Sequence, residues 1–311
     1  MTQAAILRAG QHKNMTNLIT GVAQRPLLGI LFMLLATSLF PVMNGLVKLL
    51  SADYSSEQII WARTASHLIF VLLLFGPAHG GWRLLRTVRP KHQIARSLIL
   101  LASTSFFFTG VKYLPLAEAS SISFASPFIV ALLAVPFLGE ALSAVRLAAV
   151  AVGFLGVIVI IRPGSEVFQW ASLYMVGSAC CYATYQLLTR FVAGHDRPET
   201  SVVYSALVGT VVMSFVVPFH WIAPHSLSDI GVLASLGILG GLGHYCVARA
   251  LTYATASVVT PFHYWQIVGA VTIGYLLFGD LPDRYTWLGA ALIVGSGLFI
   301  GWRESREGAA A

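Results

Sequence analysis

Charge is what this sequence has least of. Only 10% of its 311 residues are Asp, Glu, Lys or Arg, against about 25% in a typical soluble domain. That is too few to cover a water-facing surface. Cysteine is scarce as well: Cys180, Cys181 and Cys246 fall in no CxxC or metal-ligand spacing, which excludes a disulfide framework. No GxxxxGK[ST] loop is present, so this chain supplies no ATP drive of its own. No HxxxH or His-Asp pair points to a metal or to catalysis; neither metal nor cofactor is expected. Residues 1–25 lack an apolar signal core. The sequon at Asn14 falls in that segment and reads as chance. The net charge of +7 does not indicate nucleic acid, because the basic residues sit in short loops rather than on one face.

What is abundant is apolar sequence: 57% hydrophobic residues and a mean hydropathy of +0.78. A helix needs about 20 mostly apolar residues to cross the hydrocarbon core, and such runs recur along almost the whole length. The fold class is all-α and polytopic, with the lipid bilayer as an obligatory partner. Cutting at Pro, Gly and charge clusters gives ten spans: 27–50, 57–75, 95–111, 118–138, 144–161, 170–190, 200–217, 230–250, 256–278 and 285–302. Loop Lys and Arg set orientation. Of the 19, most gather on one side, from Arg8, Lys13 and Arg25 through Arg83–Arg96 to Arg303 and Arg306. Lys112, Arg162 and Arg284 lie on the other side, and Lys48 and Arg63 within spans. Both termini are therefore expected in the cytoplasm, as a tail over 1–25 and a tail over 305–311.

The two halves resemble each other. SLFPVMNGLVKLL (38–50) aligns with CCYATYQLLTRFV (180–192), pairing Phe40 with Tyr182, Asn44 with Gln186 and Lys48 with Arg190. Glu57 pairs with Glu199, Lys112 with Arg249, Ala119-Ser120 with Ala256-Ser257, and Gly139-Glu140 with Gly279-Asp280. Five helices per copy is an odd number, so the second copy enters from the opposite side: an inverted repeat over 26–164 and 165–304, with a central cavity between the halves. This layout, with ASSISFASPFIVALLAVPFLGEAL (119–142) and ASVVTPFHYWQIVGAVTIGYLLFGDLP (256–282), resembles the drug/metabolite transporter superfamily and its EamA-type exporters. The resemblance covers about 26–304. It implies a bacterial inner-membrane secondary transporter rather than an enzyme, a basket of helices around a cavity, and a small-molecule substrate.

All twelve acids fall in loops or at helix ends, which argues against a buried carboxylate that carries a proton or binds a cationic drug. Uncharged groups mark the expected cavity. Thr37, Pro41, Asn44 and Lys48 share a face of helix 1; Ser178, Cys181, Tyr182, Tyr185 and Thr189 share one on helix 6. On a straight ninth helix Ser257, Pro261, Tyr264, Trp265 and Val268 fall within about 80°, matching Ser120, Phe124, Pro127, Phe128 and Ala131 on helix 4. His263 and Gln266 point roughly the other way. The expected substrate cavity is Asn44, Phe124, Phe128, Tyr182, Tyr185, Tyr264 and Trp265, with Lys48, Arg63, His244 and Gln186 as charge or hydrogen-bond contacts and Pro41, Pro127 and Pro261 as bending points. Arg63 either reaches the outer interface or meets a substrate carboxylate; His67 and His244 read as interhelical contacts. The glycine run GILGGLG (237–243) reads as close helix packing. The leading expectation is export of neutral or aromatic amino acids and relatives by alternating access, as a monomer or homodimer. The second is an anionic metabolite (sugar phosphate, nucleotide sugar or S-adenosylmethionine-like nucleotide) held by Lys48, Arg63 or Arg249.

Overall fold

The computed structural model describes residues 25–79, 84–138, 143–164, 169–192, 195–254 and 256–310. The expected landmarks Gly139-Glu140, Glu166, Arg83 and the N-terminal tail with Arg8 and Lys13 lie outside the described residues, as do the side chains of Arg190 and Ser257. The helices are α1 Pro26–Leu50, α2 Ser56–His79, α3 Pro90–Val111, α4 Leu116–Ser123, α5 Ser126–Leu138, α6 Ala144–Ile161, α7 Ala171–Val192, α8 Pro198–Val216, α9 Leu227–Tyr253, α10 Ala256–His263, α11 Trp265–Phe278 and α12 Arg284–Ala310. Local chemistry sets their limits. Prolines open α1, α3 and α8, where the missing N–H costs nothing. Ser143 and Ser226 cap α6 and α9 by accepting from the N–H groups of Arg146 and Asp229. Gly279 closes α11 at φ 70°, a left-handed conformation that suits glycine.

Among the described residues, eight helical stretches are long and apolar enough to cross a membrane, including Leu116–Phe137 across the α4–α5 junction. Of the ten expected spans, 170–190 and 256–278 are absent from that set. The α7 segment carries Ser172, Ser178, Thr184, Gln186 and Thr189 along its length, and the other breaks at Tyr264. The exterior is apolar: Leu73, Phe137, Phe215 and Leu276 are each exposed by more than two thirds, within a wider belt of Leu, Val and Phe. A water-soluble monomer rarely exposes so much contiguous apolar surface, and lipid accepts it.

Helix pairing runs between the halves of the chain. α1 lies along α9 and α11, α3 along α7 and α8, α2 along α8 and α9, α5 along α7, and α6 along α12. Exchanging elements of one half for those of the other maps this set onto itself: α1–α9 becomes α7–α3, α2–α9 becomes α8–α3, and α1–α11 becomes α7–α5. Small residues permit the closest approaches. A Cβ on Gly156 would lie 2.7 Å from the Gly289 carbonyl, and one on Gly289 2.5 Å from that of Gly156, so α6 and α12 cross on this pair. On α9 the GILGGLG run meets α1 and α2: a Cβ on Gly237 would strike the His67 backbone N at 2.1 Å, and one on Gly243 the Phe40 ring at 2.6 Å. Such contacts hold membrane helices together where no hydrophobic force acts between them.

Polar contacts gather at the two ends of the bundle. At one end the Arg25 N–H donates to the Tyr253 carbonyl (3.0 Å), and Asp196 accepts from Thr87, the Val88 N–H and Gln93. At the other, Lys48 pairs with Asp280 (2.8 Å), Arg162 with Asp283 (2.6 Å), and Tyr54 donates to Asp229 (2.6 Å).

Candidate functional site

Two helices are interrupted at related places. α4 gives way to α5 at Phe124–Ala125, and α10 to α11 at Tyr264. In both, backbone bonding tightens from the fourth residue to the third: Ala125 N–H to Ile122 O (3.0 Å), Phe128 N–H to Ala125 O (3.0 Å) and Ile267 N–H to Tyr264 O (3.0 Å). Prolines supply the local cause. Pro127 occupies the second position of α5, and Pro261, inside α10, removes the N–H that would bond the Ser257 carbonyl. The break changes which side chains meet. His263 and Tyr264 both lie against Phe124, with ring centroids at 5.6 and 5.2 Å. A straight helix turns His263 away; the interruption brings it alongside Tyr264.

Trp265 goes elsewhere. It is 46% exposed, and its indole N–H donates to Ser38 Oγ on the outward face of α1 (3.2 Å). Phe128, paired with Trp265 by repeat offset, is fully buried beside Phe154, where a Cβ on Gly153 would lie 2.3 Å from its ring. It packs between α5 and α6. Pro127 and Pro261 are exposed, whereas Pro41 is buried and touches the notch at Gly269 of α11, inside a continuous α1. Asn44 is buried on α1. Tyr182 and Tyr185 stack at 5.6 Å on α7, with Gln186 half-buried beside them. Ser178 bonds Ser103 of α3, a helix–helix contact. Lys48 is paired with Asp280 and covers the Phe278 ring at 4.6 Å. Arg249 donates to the Tyr253 hydroxyl one turn along its own helix and lies 4.8 Å over that ring.

The chemistry concentrates where α1, α2, α3 and α9 meet. His244 of α9 contacts Phe40 edge-on at 5.3 Å and stacks on His67 of α2 at 6.2 Å. Arg63, one turn before His67, lies over Phe108 of α3 at 5.7 Å. The positions of Gly240 and Gly241 face these side chains: a Cβ at Gly240 would lie 3.5 Å from Arg63 Nε and Nη2, and one at Gly241 2.9 Å from His67 Cδ2. His67 sits near the middle of α2 (Ser56–His79) and Arg63 one turn nearer its start, so this group lies well inside the span. It joins Arg63 and His244, expected from the sequence, to Phe40, His67 and Phe108.

Arg96 was expected as a cytoplasmic loop residue. The structure starts α3 at Pro90 and buries Arg96 at 1% exposure. It donates to Gln93 Oε1, Tyr185 Oη (3.0 Å), Thr189 Oγ1, the Ser201 carbonyl and Ser205 Oγ (2.9 Å), tying α3 to α7 and α8. A signal existed: Gln93, Arg96 and Ser97 recur at helical spacing on one face. Among the described residues no group of three or more His, Cys, Asp or Glu could hold a metal.

An apolar exterior, helices that pair between halves, and a polar and aromatic group well inside the span together define a polytopic α-helical membrane transport protein. The EamA-like transporter family matches the chain twice, over residues 27–162 and 169–302, and the chain belongs to that family, within the drug/metabolite transporter superfamily. Its relatives include a riboflavin transporter of Rhizobium johnstonii, 30% identical over 91% of this chain and 94% of that protein. An S-adenosylmethionine uptake transporter of Rickettsia conorii is 29% identical over 76% of this chain and 80% of its own length. A pseudopaline exporter of Pseudomonas aeruginosa is 30% identical over 86% and 93%. The protein is a transporter of small molecules, not an enzyme.

Proposed function

We propose that the chain is a secondary transporter that exports ring-bearing small metabolites across a bacterial inner membrane by alternating access. The reading includes ten crossings, arranged as inverted halves over 26–164 and 165–304 with both termini in the cytoplasm. The observation that carries it is the self-mapping helix pairing, with an interruption in the fourth and ninth spans of the matched sequence. Two interrupted helices facing one another give a bundle two sets of joints, one per half. The rings of Phe40, Phe124, Tyr182, Tyr185, His244 and Tyr264 are the flat surfaces such a substrate would meet. Aromatic amino acids belong to this class. So do the flavin and the purine nucleoside that riboflavin and S-adenosylmethionine transporters carry by name. Both halves of the site come from one chain, so a monomer suffices. Proteoliposomes holding the purified protein should pass labelled phenylalanine, tryptophan or riboflavin. No flux of any of them above empty vesicles would overturn the reading.

The anionic alternative named Lys48, Arg63 and Arg249. Lys48 is engaged by Asp280 and Arg249 by Tyr253, which leaves Arg63 as the cation that favours it.

A further inference from the structure

We propose that Arg63, with His67 and His244, forms an oxyanion subsite that takes the carboxylate of a transported metabolite, whose ring-bearing body lies toward Phe40 and Phe108. The proposal rests on the transporter reading above and adds the chemistry at one end of the substrate.

The argument begins with an arginine left unsatisfied. Arg63 is seven residues into α2, about 10 Å along the axis at 1.5 Å per residue, well inside the span. Its Nε and the Nε2 of His67 are buried without a hydrogen-bond partner, although His67 is 94% buried. The described carboxylates stand at the ends of the bundle, and what faces the Arg63 guanidinium is the Phe108 ring. This bundle can satisfy a buried arginine when the role is structural. Arg96 has its donors taken by Gln93, Tyr185, Thr189, Ser201 and Ser205. Among the described residues Arg63 has no such set, and it is half-buried overall.

The repeat sharpens this contrast. With the offset of Glu57 to Glu199, Arg63 and His67 correspond to Ser205 and Gly209. With that of Lys112 to Arg249, His244 corresponds to Phe107. The same helix pairings form on the other side of the molecule, where the basic residue comes from α3 instead: Arg96 reaches Ser205 and has its donors taken, whereas Arg63 Nε is left without a partner. The glycines at 240 and 241 let α9 pack closely against Arg63 and His67, and His244 lies within electrostatic range of Arg63. A guanidinium presents a planar fork of donors that matches a carboxylate through two parallel bonds, and each neutral imidazole adds an N–H donor. In a site screened from water such bonds select strongly for the group they were built for, because a ligand lacking it leaves the donors unpaired.

The test uses the purified full-length chain and three probes that share a phenyl body: phenylacetate, phenylacetamide and phenyl phosphate. Binding is read as thermal stabilisation at millimolar probe. Phenylacetate should bind at least tenfold more tightly than phenylacetamide. Arg63→Gln should abolish that preference while amide binding is retained, and Arg63→Lys should restore part of it. His67→Asn and His244→Asn should each narrow it. If Arg63→Gln does not fold, Gly240→Leu, whose added side chain would crowd the guanidinium and Met43, takes its place with the same expectation. Equal binding of the acid and amide by the wild type, no binding of either, or a preference that survives Arg63→Gln or Gly240→Leu overturns the proposal. Phenyl phosphate binding more tightly than phenylacetate overturns the carboxylate assignment in favour of a phosphate. Flux separates the two readings: carboxylate preference without flux of the amino-acid and riboflavin panel removes the ring-bearing substrate reading and keeps the subsite. Flux without the preference does the reverse.

Discussion

At the scale of single residues, burial separates side chains that one helical face groups together. Phe128 and Tyr264 lie on matching faces of the fourth and ninth expected helices by repeat arithmetic, yet Phe128 fills the notch at Gly153, while Tyr264 stands against Phe124. Phe128→Ala should lower the thermal midpoint and leave the order of substrate preference unchanged. The loss should be smaller than the roughly 3–5 kcal/mol of water-soluble cores, because lipid is as apolar as the core and only lost packing remains. Phe124→Ala should do the opposite, altering which rings are preferred with little change in the midpoint. A flux panel and a melting curve on both variants distinguish them. Arg96 gives the complementary case: lysine offers a compact ammonium in place of a planar fork, so Arg96→Lys should destabilise the α3–α7–α8 contact despite the conserved charge.

At the scale of elements, the two ends of the bundle are fastened by matched positions. Tyr54, in the turn after α1, bonds Asp229 at the start of α9; Asp196, at the matching place after α7, accepts from Gln93 at the start of α3. In alternating access one fastening loosens while the other holds. Tyr54→Phe should raise hydrogen exchange around 225–231 and leave 195–201 protected; Asp196→Ala should do the reverse. Asp196 also predicts a pH dependence. Its burial raises the carboxyl pKa, but hydrogen bonds from Thr87, Gln93 and the Val88 N–H outweigh this and hold it below the usual range. A depressed folded-state value stabilises the fold above the unfolded pKa of about 3.9, and that contribution disappears as pH falls through the folded value. Exchange at 84–93 should therefore rise in acid below about pH 4, and Asp196→Asn should flatten the rise.

At the scale of the whole molecule, the proposal is two states of one bundle. Single cysteines along α5 and α11 should be labelled from both sides of the membrane as substrate conditions change; labelling from one side under all conditions would count against alternation. Much of the architecture was legible in the chain, because a bilayer imposes length and hydropathy on every crossing. The paired landmarks Asn44 and Gln186, or Lys112 and Arg249, carried the repeat. Less of the site was legible. The straight-helix assumption grouped Tyr264 with Trp265 and turned His263 away, and the break at Tyr264 undid both placements. Arg96 falls inside the expected span 95–111 but was counted with the loop cations, because a reading based on apolar runs assigns no role to the polar face of Gln93, Arg96 and Ser97 that the structure buries.

The sequence by itself determined that the chain is a set of helices apolar enough for a membrane, that its two halves share ordered polar landmarks, and that its carboxylates fall in loops or near helix ends. Each follows from local composition, because lipid penalises every unsatisfied polar group whatever the neighbours. Only the tertiary structure decided which polar side chains are satisfied. Lys48, Arg63, Arg96 and Arg249 look alike as basic residues near apolar runs. Packing gives Lys48 an aspartate, Arg96 a set of neutral acceptors and Arg249 a tyrosine, and leaves Arg63 facing a ring and two histidines. Hydrogen bonds act over about 3 Å, and that distance is set by which helices meet.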